Sequence, residues 1–112
     1  MTDVDLLAHA SEFSFHPEGA SFGDREVFYF EVTVARRSND LWAVLWLGRC
    51  WNHVTQDWEY EPRERSKKFL AECRLPLDEA VKVARSKPDT LSVNGKTWVD
   101  FKAIHALQAA RD

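Results

Sequence analysis

The residues with the widest chemical repertoire here are two cysteines, Cys50 and Cys73, and four histidines, His9, His16, His53 and His105. Cys50-Trp51-Asn52-His53 sets a thiol and an imidazole three positions apart. A structural zinc site usually joins two such close pairs. Here one pair stands alone, and strand alternation sends Cys50 and His53 to opposite faces. A thiol nucleophile needs a base within hydrogen-bond reach, and no spacing in the chain supplies one. There is no G-x-S-x-G elbow, no phosphate-cradling glycine loop and no paired-carboxylate motif. Two of the histidines could run the acid–base chemistry of a small metal-free nuclease. The pattern favours binding over catalysis, with no metal, cofactor or small-molecule substrate expected.

The local basic run is Arg63-Glu64-Arg65-Ser66-Lys67-Lys68, flanked by Trp58, Tyr60 and Phe69. Basic residues interleaved with aromatics can follow a phosphate backbone while stacking bases, so Arg63, Arg65, Lys67 and Lys68 are candidate nucleic-acid contacts. Against this stands the overall balance of 15 basic and 18 acidic residues, a net charge of −3. A solvated connector is the simpler reading. The 112 residues suit one α+β domain spanning 1–112, long enough to build a core without staples. Two cysteines make no disulfide framework. The opening residues have neither a basic start nor an apolar run of signal-peptide length. The longest apolar stretch, Leu41 to Leu47, is far short of a membrane span. A cytoplasmic protein is the expectation.

The elements that must position these groups are legible in outline. Glu12 to His16 alternates and suggests a short strand, followed by a Pro- and Gly-punctuated loop over 17–24. Glu26 to Arg36 is rich in β-branched and aromatic residues and predicts a strand. Leu41 to His53 predicts a second, longer one, and Trp58 to Tyr60 its hairpin partner, with Trp51 opposite Tyr60. Phe69, Ala71, Cys73 and Leu75 alternate and favour another strand, although Phe69, Leu70 and Cys73 also fit a helical face. Pro76 at a first helical position, Asp78 and Glu79 near the dipole's positive end and the stripe Leu77, Ala80, Val81, Ala84 predict a helix. Asn94-Gly95 is the preferred two-residue hairpin turn. Asp100 could cap a last helix with the stripe Phe101, Ala103, Ile104, Leu107 and Ala110. The sum is an α+β fold: an antiparallel β-sheet of about five to seven short strands with two α-helices packed on one face.

Register then decides which face is which. A two- or four-residue turn around Ser38-Asn39 sets Arg36 opposite Leu41 and Val34 opposite Ala43. Phe28, Phe30, Val32 and Val34 then share the helix-covered face with Leu41, Ala43, Leu45 and Leu47. The other face carries Tyr29, Glu31 and Thr33 beside Trp42 and Trp46. The N-terminal segment or the second hairpin could cover this face; left open, large aromatics there mark an interaction site. Tyr29, Glu31, Trp42 and Trp46 are therefore the candidate partner-binding residues, for a protein partner or a second copy of the chain. Five tryptophans, about three times ordinary usage, fit that reading.

Phe28-Tyr29-Phe30-Glu31, Trp46-Leu47-Gly48-Arg49 and Phe69 followed by Pro76-Leu77-Asp78-Glu79-Ala80 together resemble the WGR domain over residues 26–86. That family is a small antiparallel sheet with a helix, associated with DNA repair. The resemblance implies DNA contacts at Trp46 and Arg49, with Leu47 standing inside the usual Trp-Gly-Arg. The Trp- and Arg-rich style of RCWNHVTQDWEYEP and FLAECRLPLDEAVKVARSKPD resembles small proteins of actinobacteria and their bacteriophages. The expectation carried forward is a non-enzymatic interaction module, with nucleic-acid binding through 63–68 as the alternative.

Overall fold

Short β-branched and aromatic runs, parted by Asn, Asp and Gly, form a five-stranded antiparallel sheet in simple meander order. A computed structural model describes residues 11–20 and 27–111. Its strands are β1 (Glu12–Phe15), β2 (Val32–Arg36), β3 (Trp42–Trp46), β4 (Arg49–Asn52) and β5 (Asp57–Tyr60). Three α-helices follow: α1 (Lys67–Glu72), α2 (Leu77–Ser86) and α3 (Trp98–Arg111). The fold is α+β. His9, Ser21 to Asp24 and Glu26 lie outside the described residues.

One turn governs the layout. Arg37 to Leu41 joins β2 to β3, with Asn39 at φ 62° and Asp40 at φ 57°. Asn and Asp are the side chains that best tolerate this left-handed region. Five connecting residues, not two or four, place Arg36 opposite Trp42 and Val34 opposite Val44. An odd slip in register moves every side chain of a strand to the other face. Trp42, Val44 and Trp46 thus join Val32 and Val34 in the core, and Ala43 and Leu45 move to the opposite face. The expected open aromatic face does not form: Trp42 is 2% and Trp46 8% exposed.

The inner face is paved with aromatic rings. Phe13 lies 5.7 Å from Trp42, and Trp58 packs on both Trp46 (5.4 Å) and Trp51 (5.2 Å). Trp51 pairs with Trp58, two residues from the expected Tyr60, so the facing parity is kept. Over this face α2 lays Ala80 and Ala84, small residues that let the helix approach. Phe30 ends a 3₁₀ turn, Val27–Phe30, where a strand was expected, and is buried against Trp98 and Phe101 of α3. Trp98 is buried, Phe101 and Ile104 are half-buried, and Ala103, Leu107 and Ala110 of the expected stripe are exposed.

The opposite face is covered over part of β3 and β4. Residues 67–72 form a helix and not a strand, because the Ser66 hydroxyl accepts from the Phe69 N–H at 3.1 Å and caps it. Phe69 and Cys73 then close over Ala43 and Cys50, with Leu45 at the margin. Helices therefore flank both faces, not one. The long strand expected over 41–53 is broken by Leu47 (φ 45°) and Gly48 (φ 77°), which form a tight two-residue turn between β3 and β4. The Asn94-Gly95 turn forms as expected, closed by Val93 and Lys96 alone. Thr97, not Asp100, precedes the last helix. The Asp100 carboxylate accepts from the Thr97 N–H at 2.9 Å, and the Thr97 hydroxyl accepts from the Asp100 N–H at 3.4 Å.

This register makes opposite demands of two aromatic positions. Trp42→Ala should cost about 3–5 kcal/mol in chemical denaturation, as a buried aromatic does. Phe28→Ala should cost under about 1 kcal/mol, as an exposed one does. Reversed values would restore the shorter turn.

Candidate functional site

With Trp42 and Trp46 in the core, two large apolar side chains stand exposed near the β3–β4 turn. Phe28 and Leu47 are 53% and 50% exposed, and Tyr29 is more than one-third exposed beside Phe28, ring centroids 4.1 Å apart. Leu47 is held outward by the tight β3–β4 turn, and Phe28 by the 3₁₀ turn ahead of β2. Trp46 anchors that turn from below, its indole N–H donating to the Tyr29 carbonyl at 2.8 Å. Sequence reasoning missed Phe28 and Leu47 as surface residues. Gly48 inside an apparent strand was the available signal for the turn that exposes Leu47.

Between these side chains and the outer face of β2 and β3 lies a shallow groove of about 380 Å³, lined in part by Glu12, Phe28, Glu31, Leu45 and Leu47. Its charge is acidic: Glu12 is exposed, and Glu31 is partly so, with His16 Nε2 3.4 Å from its carboxylate. Of the four expected partner-binding residues, the structure keeps Tyr29 and Glu31 at this surface. It buries Trp42 under Phe13 and α2, and Trp46, though it borders the groove, is buried as well.

The basic run is exposed from Arg63 to Lys68. Arg63 and Arg65 lie in the loop before α1, while Lys67 and Lys68 occupy its first turn. Arg65 turns back, its Nε donating to Glu61 at 3.2 Å. Arg49 stacks over Trp46 at 5.6 Å and Tyr60 at 5.0 Å, and donates to the Tyr60 hydroxyl. The guanidinium implied by the WGR resemblance is therefore engaged with two rings of its own sheet.

The thiols and His53 do not assemble. The Cys50 Sγ lies against the Cys73 carbonyl at 3.4 Å and receives Arg74 Nη1 at 3.6 Å. His53 Nε2 meets the Ala71 carbonyl at 3.0 Å. Burial pushes the Cys50 thiol up despite the nearby Arg74 charge. Burial, then Cys50 and the Glu59 charge, push the Cys73 thiol up to about 12. Among the described residues, no group of three or more His, Cys, Asp or Glu could hold a metal ion. No described helix is long and apolar enough to cross a membrane.

No protein-family model, no curated protein and no solved structure matches this chain. The functional reading therefore rests on its own geometry.

Because folding holds both thiols neutral, they add stability that is complete below the ordinary thiol value of 9.0 and lost at higher pH, for Cys73 as pH rises toward about 12. Urea midpoints should fall between pH 8 and 11, and the fall should be shallower in Cys73→Ala. Identical slopes in both proteins would show that Cys73 ionises freely in the native state.

Proposed function

We propose that this chain is a small non-enzymatic binding module that grips a protein segment bearing a basic side chain flanked by apolar ones. The observation that carries the reading is the pairing of two half-exposed large apolar side chains, Phe28 and Leu47, with two carboxylates, Glu12 and Glu31, around one groove. Exposed apolar side chains gathered at one place are a common mark of an interface. Here short turns and the Trp46 hydrogen bond hold them in place, so little ordering entropy opposes binding. The carboxylates select the sign of the partner: a lysine or arginine is drawn in, while acidic segments are repelled. A second copy of this chain, net charge −3, is the weaker match.

Selection from a displayed library of random peptides tests this directly. Enriched sequences should carry Lys or Arg beside aromatic or aliphatic residues. A synthetic peptide of that sequence should lose at least about tenfold in affinity against Phe28→Ala or Glu31→Gln, the loss of about 1.4 kcal/mol that one anchor contact supplies. Enrichment of acidic peptides, or affinity untouched by both variants, would contradict the assignment. Concentration-dependent dimerisation abolished by Phe28→Ala would replace the peptide with a second copy.

A further inference from the structure

At the opposite end of β3 from Leu47, three arginines from three parts of the chain meet at one carboxylate. Arg37 comes from the β2–β3 turn, Arg65 from the loop before α1 and Arg74 from the extended segment after it. Arg74 Nη2 donates to Glu61 Oε1 at 2.7 Å, Arg65 Nε donates to the same oxygen at 3.2 Å, and Arg37 Nη2 stands 4.0 Å from Oε2. Burial alone would push the Glu61 carboxyl up, but the hydrogen bonds and charges of Arg65 and Arg74 outweigh it and hold it below the usual range. Glu61 is therefore ionised at neutral pH and cancels one positive charge of the three.

The three guanidiniums are not equivalent. Arg74 is buried and already engaged, with Nη1 donating to the Cys73 carbonyl at 2.9 Å and its plane over the Phe69 ring. It is a fixed post. Arg37 and Arg65 are partly exposed. Among the described residues, the hydrogen bond of Arg65 uses only its Nε, and that of Arg37 goes to the Arg36 carbonyl at 3.3 Å. Both side chains, with Arg74, border a recess of about 320 Å³ that is also lined by Leu41, Leu70, Ser38 and Asn39.

We propose that this recess binds a phosphate monoester dianion carried on a small apolar body. The match has three parts. Three guanidiniums and one carboxylate leave a surplus of two positive charges, equal and opposite to the dianion, which carries about −1.5 to −2 at pH 7. Arginine forks offer paired N–H donors spaced for phosphate oxygens. Leu41 and Leu70 supply an apolar wall that inorganic phosphate would leave unused, and the volume is at the small end of ligand pockets. Like charges held together on the protein are eased by an anion between them. This site is separate from the acidic groove and does not depend on it.

The experiment is an NMR titration of the ¹⁵N-labelled full chain with phenyl phosphate, inorganic phosphate and, at matched ionic strength, sodium chloride. Phenyl phosphate should give saturable shifts centred on Ser38, Asn39 and the backbone of Arg37 and Arg65. It should bind several-fold tighter than inorganic phosphate, with chloride producing no saturable change. Arg37→Gln/Arg65→Gln should abolish saturation, while Arg63→Gln/Lys67→Gln, outside the recess, should leave the affinity within about twofold, as screened surface charges do. Glu61→Gln, where it folds, should bind tighter, since it removes the competing carboxylate. Shifts that survive the Arg37/Arg65 double variant would overturn the site, as would an absence of saturation. Binding of single-stranded DNA that depends on Arg63, Lys67 and Lys68 but not on Arg37 would assign the basic surface to nucleic acid instead.

Discussion

The structure depends on the length of one turn. Arg37 to Leu41 contributes five residues, with Asn39 and Asp40 both left-handed, and closes on the Arg37 N–H donating to the Leu41 carbonyl at 2.7 Å. That closure sets Val34 opposite Val44 and puts Trp42, Val44 and Trp46 under α2. A turn one residue shorter would turn two indoles to the other face, where α1 leaves room only for Ala43, Cys50 and the edge of Leu45. The large inner residues and the small outer ones are chosen for one register. The turn and the packing select the same pairing, as register on a two-sided sheet requires.

From that register follows where chemistry can sit. With the inner face covered by α2 and the outer face of β3 and β4 by α1, the interior is used for stability, and Cys50 and Cys73 are enclosed as small neutral residues beside the buried Arg74. Among the described residues, the two proposed sites lie along β3. One end presents Phe28, Leu47 and Glu31, with Glu12 farther along level with Ala43, and the other presents arginines around Glu61. An acidic–apolar groove and a cationic recess form a polarised surface, although the net charge is only −3. Averaged charge conceals such separation.

The parts of this arrangement set by local chemistry were legible in the sequence. Pro76 with Asp78 and Glu79 announced α2, and Asn94-Gly95 its turn, because each acts through its own backbone and immediate neighbours. The α+β class followed from the order of strands and helices. What failed depended on counting or on competition. Turn length between Arg36 and Trp42 is not written in residue type, since Arg-Ser-Asn-Asp-Leu suits two, four or five residues. Phe69 to Leu75 satisfied alternation and helical periodicity at once, and the Ser66 cap decided it. Gly48 was readable as a break in a strand, whereas the meeting of Arg37, Arg65 and Arg74 spans 37 positions and needs the folded chain.

The register of β2 on β3 is the claim on which both surfaces rest, and interstrand contacts in solution measure it most directly. Hydrogen-bonded and non-hydrogen-bonded pairs alternate along an antiparallel ladder. Since Arg37 and Leu41 are hydrogen-bonded, Val34 and Val44 form a non-hydrogen-bonded pair, with α-protons in close approach. A strong Hα–Hα nuclear Overhauser effect between Val34 and Val44, with contacts from the Trp42 indole to α2, is the expected result. The same effect between Val34 and Ala43, with the Trp42 indole contacting Phe69, would contradict the account.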